Sequence, residues 1–212
     1  MSNKTFLTIA IVGLTVIFAV WLFSFQYWPF FPKGNDRFAS CRESTVVGGA
    51  GKLGGPFTLV NQNGDFVTDK DTITEPSLIY FGYTFCPDIC PLDGIRNAKV
   101  VDLLSEEGIS ATPIFISIDP QRDTPEVMAD FSAWIHPKMV GLTGSMQQVK
   151  AVSKAYRTYF KSHNKGDSEF YLVDHSTMTY LVLPHYGFVE FFRRDHSADE
   201  IAKIVACFVE KL

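Results

Sequence analysis

The sequence predicts a three-layer α/β/α domain on a mixed central sheet, preceded by one N-terminal transmembrane helix. Three observations carry that expectation. Phe6 to Phe25 is a run of twenty residues without a charge. Further on, Ser77–Tyr83 and Thr112–Asp119 are short apolar, β-branched and aromatic runs of the kind found in strands buried on both faces, and a helical stretch separates them. Hairpin signals stand before and after this unit, and an amphipathic helix ends the chain.

At a rise of about 1.5 Å per residue, twenty helical residues cover about 30 Å, the thickness of the bilayer hydrocarbon. Trp21, Tyr27 and Trp28 gather at the far end, where amphipathic rings favour the headgroup level, and Pro29 and Pro32 stop the helix. The run is longer than the apolar core of a cleaved signal peptide and no small-x-small site abuts it, so it is read as an uncleaved anchor. The expected organisation is a short cytoplasmic head at 1–5, an anchor at 6–27, a linker at 28–54 and a globular domain at 55–212. Ala39-Ser40-Cys41 resembles a lipoprotein cleavage site but lies beyond Lys33, Asp36 and Arg37, which leaves Cys41 as an unassigned thiol in the linker. Flanking charge does not orient the anchor, because Lys4 and the amino terminus oppose Lys33 and Arg37, offset by Asp36. The head lacks the length and Arg/Ser content of an organellar transit peptide, which favours a bacterial inner membrane.

The chain has 212 residues, 46% hydrophobic and 20% charged, enough for one ordinary domain beyond the anchor. A net charge of -4 with no basic stripe gives nucleic acid nothing to bind. Four cysteines do not by themselves fix the redox compartment.

Within the domain, Pro56–Thr68 holds two short alternating runs around Asn63-Gly64, a strong hairpin signal. The strand run at Ser77–Tyr83, a helix from Pro91 to about Glu107 with Val100, Leu103 and Leu104 at helical spacing, and the strand run at Thr112–Asp119 form a right-handed crossover unit. Thr124–Ile135 and Ser145–Phe160 are expected helices, with Thr124 and Ser145 as N-caps and Pro125 at the first helical position. Met178–Leu183 and Phe188–Phe192 flank Pro184-His185-Tyr186-Gly187 as a second hairpin. In the closing helix, Ala198 to Lys211, Ile201, Ile204, Val205 and Phe208 form one stripe, and Cys207 beside them is read as a buried packing thiol. These elements compose a thioredoxin-like plan.

That plan places Phe81–Pro91, FGYTFCPDICP, at the carboxyl end of a strand, where open α/β sheets hold their sites. Cys86 and Cys90 stand there four residues apart, at a helix start that favours thiolate. Such a pair can form a disulfide, attack one, or hold a soft metal. A purely stabilising disulfide is disfavoured, since so small a loop removes little unfolded-state entropy. The second signal is His175 in YLVDHS, immediately before an apolar strand run, with Asp174 placed to orient its ring. His136, His163, His185 and His196 are read as solvated or hydrogen-bonded residues without chemical roles, and Met178 as core.

FGYTFCPDICP, then DPQRDTP at Asp119–Pro125, then YLVDHS resemble, in order and spacing, the Sco/SenC family of copper-binding assembly factors. The likeness covers roughly Gly55 to Leu212, and a membrane anchor fits it. It implies that Cys86, Cys90 and His175 bind copper, that the fold is thioredoxin-like, and that the protein delivers copper to, or prepares the thiols of, the dinuclear copper site of cytochrome c oxidase. The implied partners are the copper-accepting oxidase subunit and other copper chaperones or thiol-disulfide proteins. The implied setting is an inner membrane with the soluble domain in the periplasm. Pro91–Val101 is more polar than the family's usual helix start, which bears on partner choice more than on metal binding.

The residue chemistry is compatible with that reading. Two thiolates and an imidazole suit Cu(I), or Cu(II) with a further ligand. A structural zinc site would close with a fourth protein ligand, which the sequence does not offer. A thiol-disulfide oxidoreductase is the main rival and would need the two cysteines but not His175. A peroxidase is ranked last, because Thr84 stands only two residues before Cys86 where a P-x-x-x-T-x-x-C context is required. For Asp119, Arg122 and Asp123, a hydrogen-bonded βα turn with Thr124 capping the next helix is favoured over acid-base chemistry.

Overall fold

The computed structural model describes residues 12–22, 36–44, 53–163, 166 and 170–212. Residues 12–22 form a helix (α1), while the rest of the expected anchor at 6–27 lies outside the described residues. Among the described residues, no helix is long and apolar enough to cross a membrane. A compact unit runs from Phe38 to Leu212.

The first hairpin forms as the Asn-Gly signal requires. β1 (Thr58–Asn61) pairs antiparallel with β2 (Phe66–Thr68), and Gly64 occupies the turn at φ 88°, a conformation that side chains disfavour. A single helical turn, α2 (Asp69–Thr72), follows, closed by a capping box between Thr68 and Asp71. The crossover unit is β3 (Ser77–Gly82), α3 (Ile89–Glu106) and β4 (Thr112–Ser117), with β3 buried along its whole length. α4 (Pro125–Ile135) leads to β5 (Val140–Thr143), and α5 (Met146–Ala155) follows, with Thr124 and Ser145 as the expected N-caps. Beyond α5 a separate ribbon pairs β6 (Phe160–Ser162) with β7 (Val173–His175). β8 (Thr179–Leu183) and β9 (Gly187–Phe192) make the second hairpin, and α6 (Ala198–Glu210) closes the domain.

The seven-stranded sheet has the order β2-β1-β5-β4-β3-β8-β9. It is mixed, because β3, β4 and β5 are parallel while the two hairpins attach antiparallel at either side. Two successive right-handed crossovers in one direction put α3 and α4 on one face, where α6 lies beside α3. Strand alternation divides the core accordingly. Leu78, Leu181 and Leu183 pack with Leu104, Ile201 and Phe208, whereas Ile79, Phe81 and Tyr180 pack with Val152 and Tyr156 of the α5 side.

Four readings from the sequence are corrected by the fold. The helix expected over Ser145–Phe160 ends at Ala155, because Arg157 turns left-handed at φ 51° and the N–H groups of Arg157 and Thr158 close back on the carbonyls of Lys154 and Ser153. Met178, read as core, is exposed. Cys41 is not an unassigned thiol, nor Cys207 a packing thiol: the two form a disulfide across 166 positions. The bond is possible because residues 38–44 lie along β9 and α6. Phe38 packs on Phe208 and Tyr186, Arg42 donates to the Val189 carbonyl, and the buried Glu190 carboxylate accepts the N–H groups of Glu43 and Ser44 and the Ser44 hydroxyl. No local pattern announces such a pairing, because it depends on where a distant helix docks.

Candidate metal centre

β3 delivers the chain to its carboxyl end at Gly82, and the turn that follows brings Cys86 back over the start of α3. The Cys86 N–H bonds the Tyr83 carbonyl at 3.2 Å. Cys90 is the second residue of α3, so its N–H has no partner within the helix, and it points at Cys86 Sγ, 3.4 Å away. Asp88 at the N-cap makes no side-chain cap and leaves that end of the helix to the sulfur. Cys90 is fully buried and Cys86 partly exposed.

Gly82 makes room for the buried sulfur. A Cβ at this position would stand 2.9 Å from Cys90 Sγ and 2.8 Å from the Phe115 ring, closer than packed atoms come. The turn is braced from β4. Asp123, buried, accepts the Thr84 N–H at 3.2 Å, the Thr84 hydroxyl at 2.6 Å and the Ser117 hydroxyl at 2.5 Å, and burial raises its carboxyl pKa. DPQRDTP is thus the hydrogen-bonded turn expected of it: the N–H groups of Arg122 and Asp123 bond the Asp119 carbonyl, and Thr124 Oγ1 accepts the Val127 N–H at 3.4 Å.

His175 arrives from the β6–β7 ribbon, paired with Phe160. Its ring stands nearly perpendicular to those of Tyr80 and Tyr83, at centroid distances of 6.1 and 5.9 Å. His175 Nδ1 lies 2.9 Å from the Ser176 carbonyl oxygen, which can only accept, so Nδ1 carries the proton. Nε2, the other ring nitrogen, faces Cys90 Sγ at 3.3 Å. The expected orienting role of Asp174 does not hold. Neighbours in a strand face opposite ways, and Asp174 pairs instead with His163 Nε2 at 2.7 Å. His136 and His196 also engage carboxylates, those of Asp102 and of Glu43 and Asp195.

One ligand atom from each of Cys86, Cys90 and His175 lies within 4.8 Å of the others. The two thiols are electrostatically unlike. A hydrogen bond from the Cys90 thiol, with contributions from His175 and the N–H groups of Asp88 and Cys90, lowers the Cys86 pKa to about 3 against the opposing effect of desolvation. Cys90 is pushed far up by the same hydrogen bond, in which it is the donor, and by burial. The centre is thus one thiol held toward thiolate, one buried thiol and one imidazole whose Nε2 faces the sulfurs. That set can coordinate a soft metal ion or exchange with a disulfide. Gly82, Tyr83, Thr84 and Asp123 complete the site without having been singled out for it in the sequence. The available signals were a glycine ending an apolar strand run and a second acidic residue in DPQRDTP.

A family model described as SCO1/SenC matches residues 47–210. Protein SenC of Rhodobacter capsulatus is 51% identical over 181 residues, covering 85% of this chain and 81% of that protein. The mitochondrial Protein SCO1 homolog of Homo sapiens is 42% identical over 156 residues, 73% of this chain, and the match spans 52% of the human protein's length. Among solved structures, copper-bound ScoI of Arabidopsis thaliana superposes with a TM-score of 0.70 at 39% identity, covering 74% of this chain and 99% of that one.

Proposed function

The chain belongs to the SCO1/SenC family, and on that premise we propose that it is a membrane-anchored copper chaperone that assists copper-site assembly in cytochrome c oxidase. The observation that carries this is the convergence of Cys86, Cys90 and His175 within 4.8 Å, two soft sulfurs and an imidazole from segments 85 positions apart. The copper-bound state of the Arabidopsis relative supports it. Copper is cargo here. The pre-ionised Cys86 at the rim is the first donor to engage an incoming ion and the last to release it, while Cys90 gives up its proton to become the second sulfur ligand and His175 Nε2 the third. Transfer to the copper-accepting subunit then proceeds by exchange of ligands at the exposed side.

Phe6–Phe25 is the proposed anchor, with the head in the cytoplasm and the domain in the periplasm of a bacterial cell. The Cys41–Cys207 disulfide supports an oxidising compartment. A second reading, thiol-disulfide reduction of the acceptor's cysteines, is favoured by the ionised, accessible Cys86 beside the buried Cys90 thiol. Cys86 would attack the acceptor's disulfide and Cys90 would resolve the mixed disulfide. Anaerobic copper titration of the full-length protein in detergent, with X-ray absorption of the loaded form, tests the main reading. A first shell lacking both sulfurs would refute it, and strong activity from a cytoplasm-only reporter fused after Leu212 would refute the topology.

A further inference from the structure

The β6–β7 ribbon that carries His175 is not part of the seven-stranded sheet. Each of its strands is three residues long, and an isolated two-stranded ribbon is marginal in water. The position of His175 relative to the cysteines must therefore come from side chains joining the ribbon to the body of the domain. They converge on Tyr171, four residues before His175. The Tyr171 hydroxyl donates to Asp119 Oδ1 at 2.7 Å, and Arg122 Nε bonds the other oxygen of the same carboxylate at 2.6 Å. The Arg122 guanidinium carbon lies 3.5 Å from the centre of the Tyr171 ring and 4.7 Å from that of Phe85, the residue before Cys86. Next along the ribbon, the Val173 N–H donates to the Tyr83 hydroxyl at 3.3 Å. One partly buried guanidinium thus lies against aromatic rings of both the ribbon and the cysteine turn.

We propose that Arg122 is a positioning residue for the copper site, a latch that holds the His175 ribbon against the cysteine turn and so sets how readily the imidazole completes the ligand set. The inference rests on the copper-binding reading. Lysine would keep the charge at this position but not the flat face that lies against both rings. The cysteine turn has a second brace in Asp123, whereas the ribbon has only its two short strands, so loss of the latch acts chiefly through His175 and weakens copper binding most while that ligand is present.

The test is a double-mutant cycle on the full-length protein in detergent: wild type, Arg122→Lys, His175→Ala and the double variant. Cu(I) affinity is read by competition with a chromophoric chelator. Arg122→Lys is expected to weaken binding about two- to thirtyfold, the span from an exposed to a desolvated cation–ring contact, and to have a clearly smaller effect in the His175→Ala background. Without copper, amide exchange at Val173 is expected to quicken relative to β3. Tyr171→Phe, which keeps the stack and removes only the hydroxyl, gives a smaller change in the same direction and is the variant to use if Arg122→Lys does not fold. Unchanged affinity, or an equal loss in both backgrounds, overturns the proposal. Failure of the wild type to bind copper would refute the functional reading instead, and Val173 exchange would then decide the latch by itself.

Discussion

His175 Nε2 lies 3.3 Å from Cys90 Sγ, although 85 positions separate them and no main-sheet strand carries the histidine. The bond from Nδ1 to the Ser176 carbonyl orients the ring and leaves Nε2 as the nitrogen that faces the sulfur. On the cysteine side, the same economy of placement depends on Gly82 and on the first turn of α3. The centre is assembled by a strand end, a helix start and a ribbon, each ordered by different contacts.

The asymmetry of the two thiols is directly measurable. A cysteine in the unfolded chain titrates near about 8.5, whereas folded Cys86 titrates at about 3. Because the folded value is the lower one, folding favours the thiolate. That contribution to stability is fully present above the unfolded pKa and is lost as pH falls toward 3. Alkylation of the reduced protein with iodoacetamide is expected to modify Cys86 at pH 5 with a rate nearly flat up to pH 8, while buried Cys90 stays unmodified. In the denatured protein the rate should climb about tenfold per pH unit below the thiol pKa. Peptide mass spectrometry reads both. A Cys86 rate that climbs through pH 8 in the folded state would remove the thiolate from the site.

Gly82 gives a test of packing. Gly82→Ala drives a methyl group against Cys90 Sγ and the rings of Phe115 and Tyr80, all within 2.9 Å of the new carbon. Overpacking of this kind costs about 1–3 kcal/mol. Chemical denaturation of the reduced apoprotein should show that loss, and copper titration should show weaker binding because the displaced atom belongs to a proposed ligand. Wild-type copper affinity in Gly82→Ala would mean that Cys90 can shift freely.

Much of this architecture was legible because the deciding patterns are local. Asn63-Gly64 signals its hairpin, the buried runs at Ser77 and Thr112 signal parallel strands, and the order of FGYTFCPDICP, DPQRDTP and YLVDHS brings Cys86, Cys90 and His175 into consideration together. What escaped depends on distance. β5 is four residues long with a glycine in the middle, and β6 and β7 are three each, too short for a period to show. Asp174 adjoins His175 in sequence but not in space, because successive strand residues face opposite ways, and it pairs with His163. Cys41 and Cys207 could be paired only once the path of residues 38–44 along β9 was known.

That disulfide has a separable consequence. It closes a loop of 166 positions on the α6 side, packed in the cluster with Phe38 and Phe208 and not in the one that holds Cys90. Replacing Cys41 and Cys207 by serine is expected to lower stability by about 2–5 kcal/mol, read by guanidinium unfolding, and to leave copper affinity unchanged. Loss of copper binding in the folded double variant would couple the two cysteine pairs and contradict their independence.

The last prediction concerns gating of metal binding by redox state. Electron pairs that Cys86 and Cys90, as the proposed ligands, would offer to copper are unavailable once the two sulfurs are joined, so the oxidised pair should bind copper poorly while the reduced pair binds it. His175→Ala should lose copper affinity yet keep a reversible Cys86–Cys90 disulfide, which separates the chaperone from a pure thiol reductase, since only the chaperone needs the imidazole. Proton release refines the test. The Cys86 thiol is held low and the Cys90 thiol high, so on Cu(I) uptake the sulfurs should release about one proton per ion, from Cys90, where two ordinary thiols would release about two. Calorimetry in buffers of different ionisation enthalpy counts the protons, and mass spectrometry of each sample confirms that Cys41–Cys207 stays joined while Cys86–Cys90 is varied. Equal copper affinity in the reduced and oxidised states would show that these sulfurs are not the ligands, and the copper-chaperone reading would have to be abandoned.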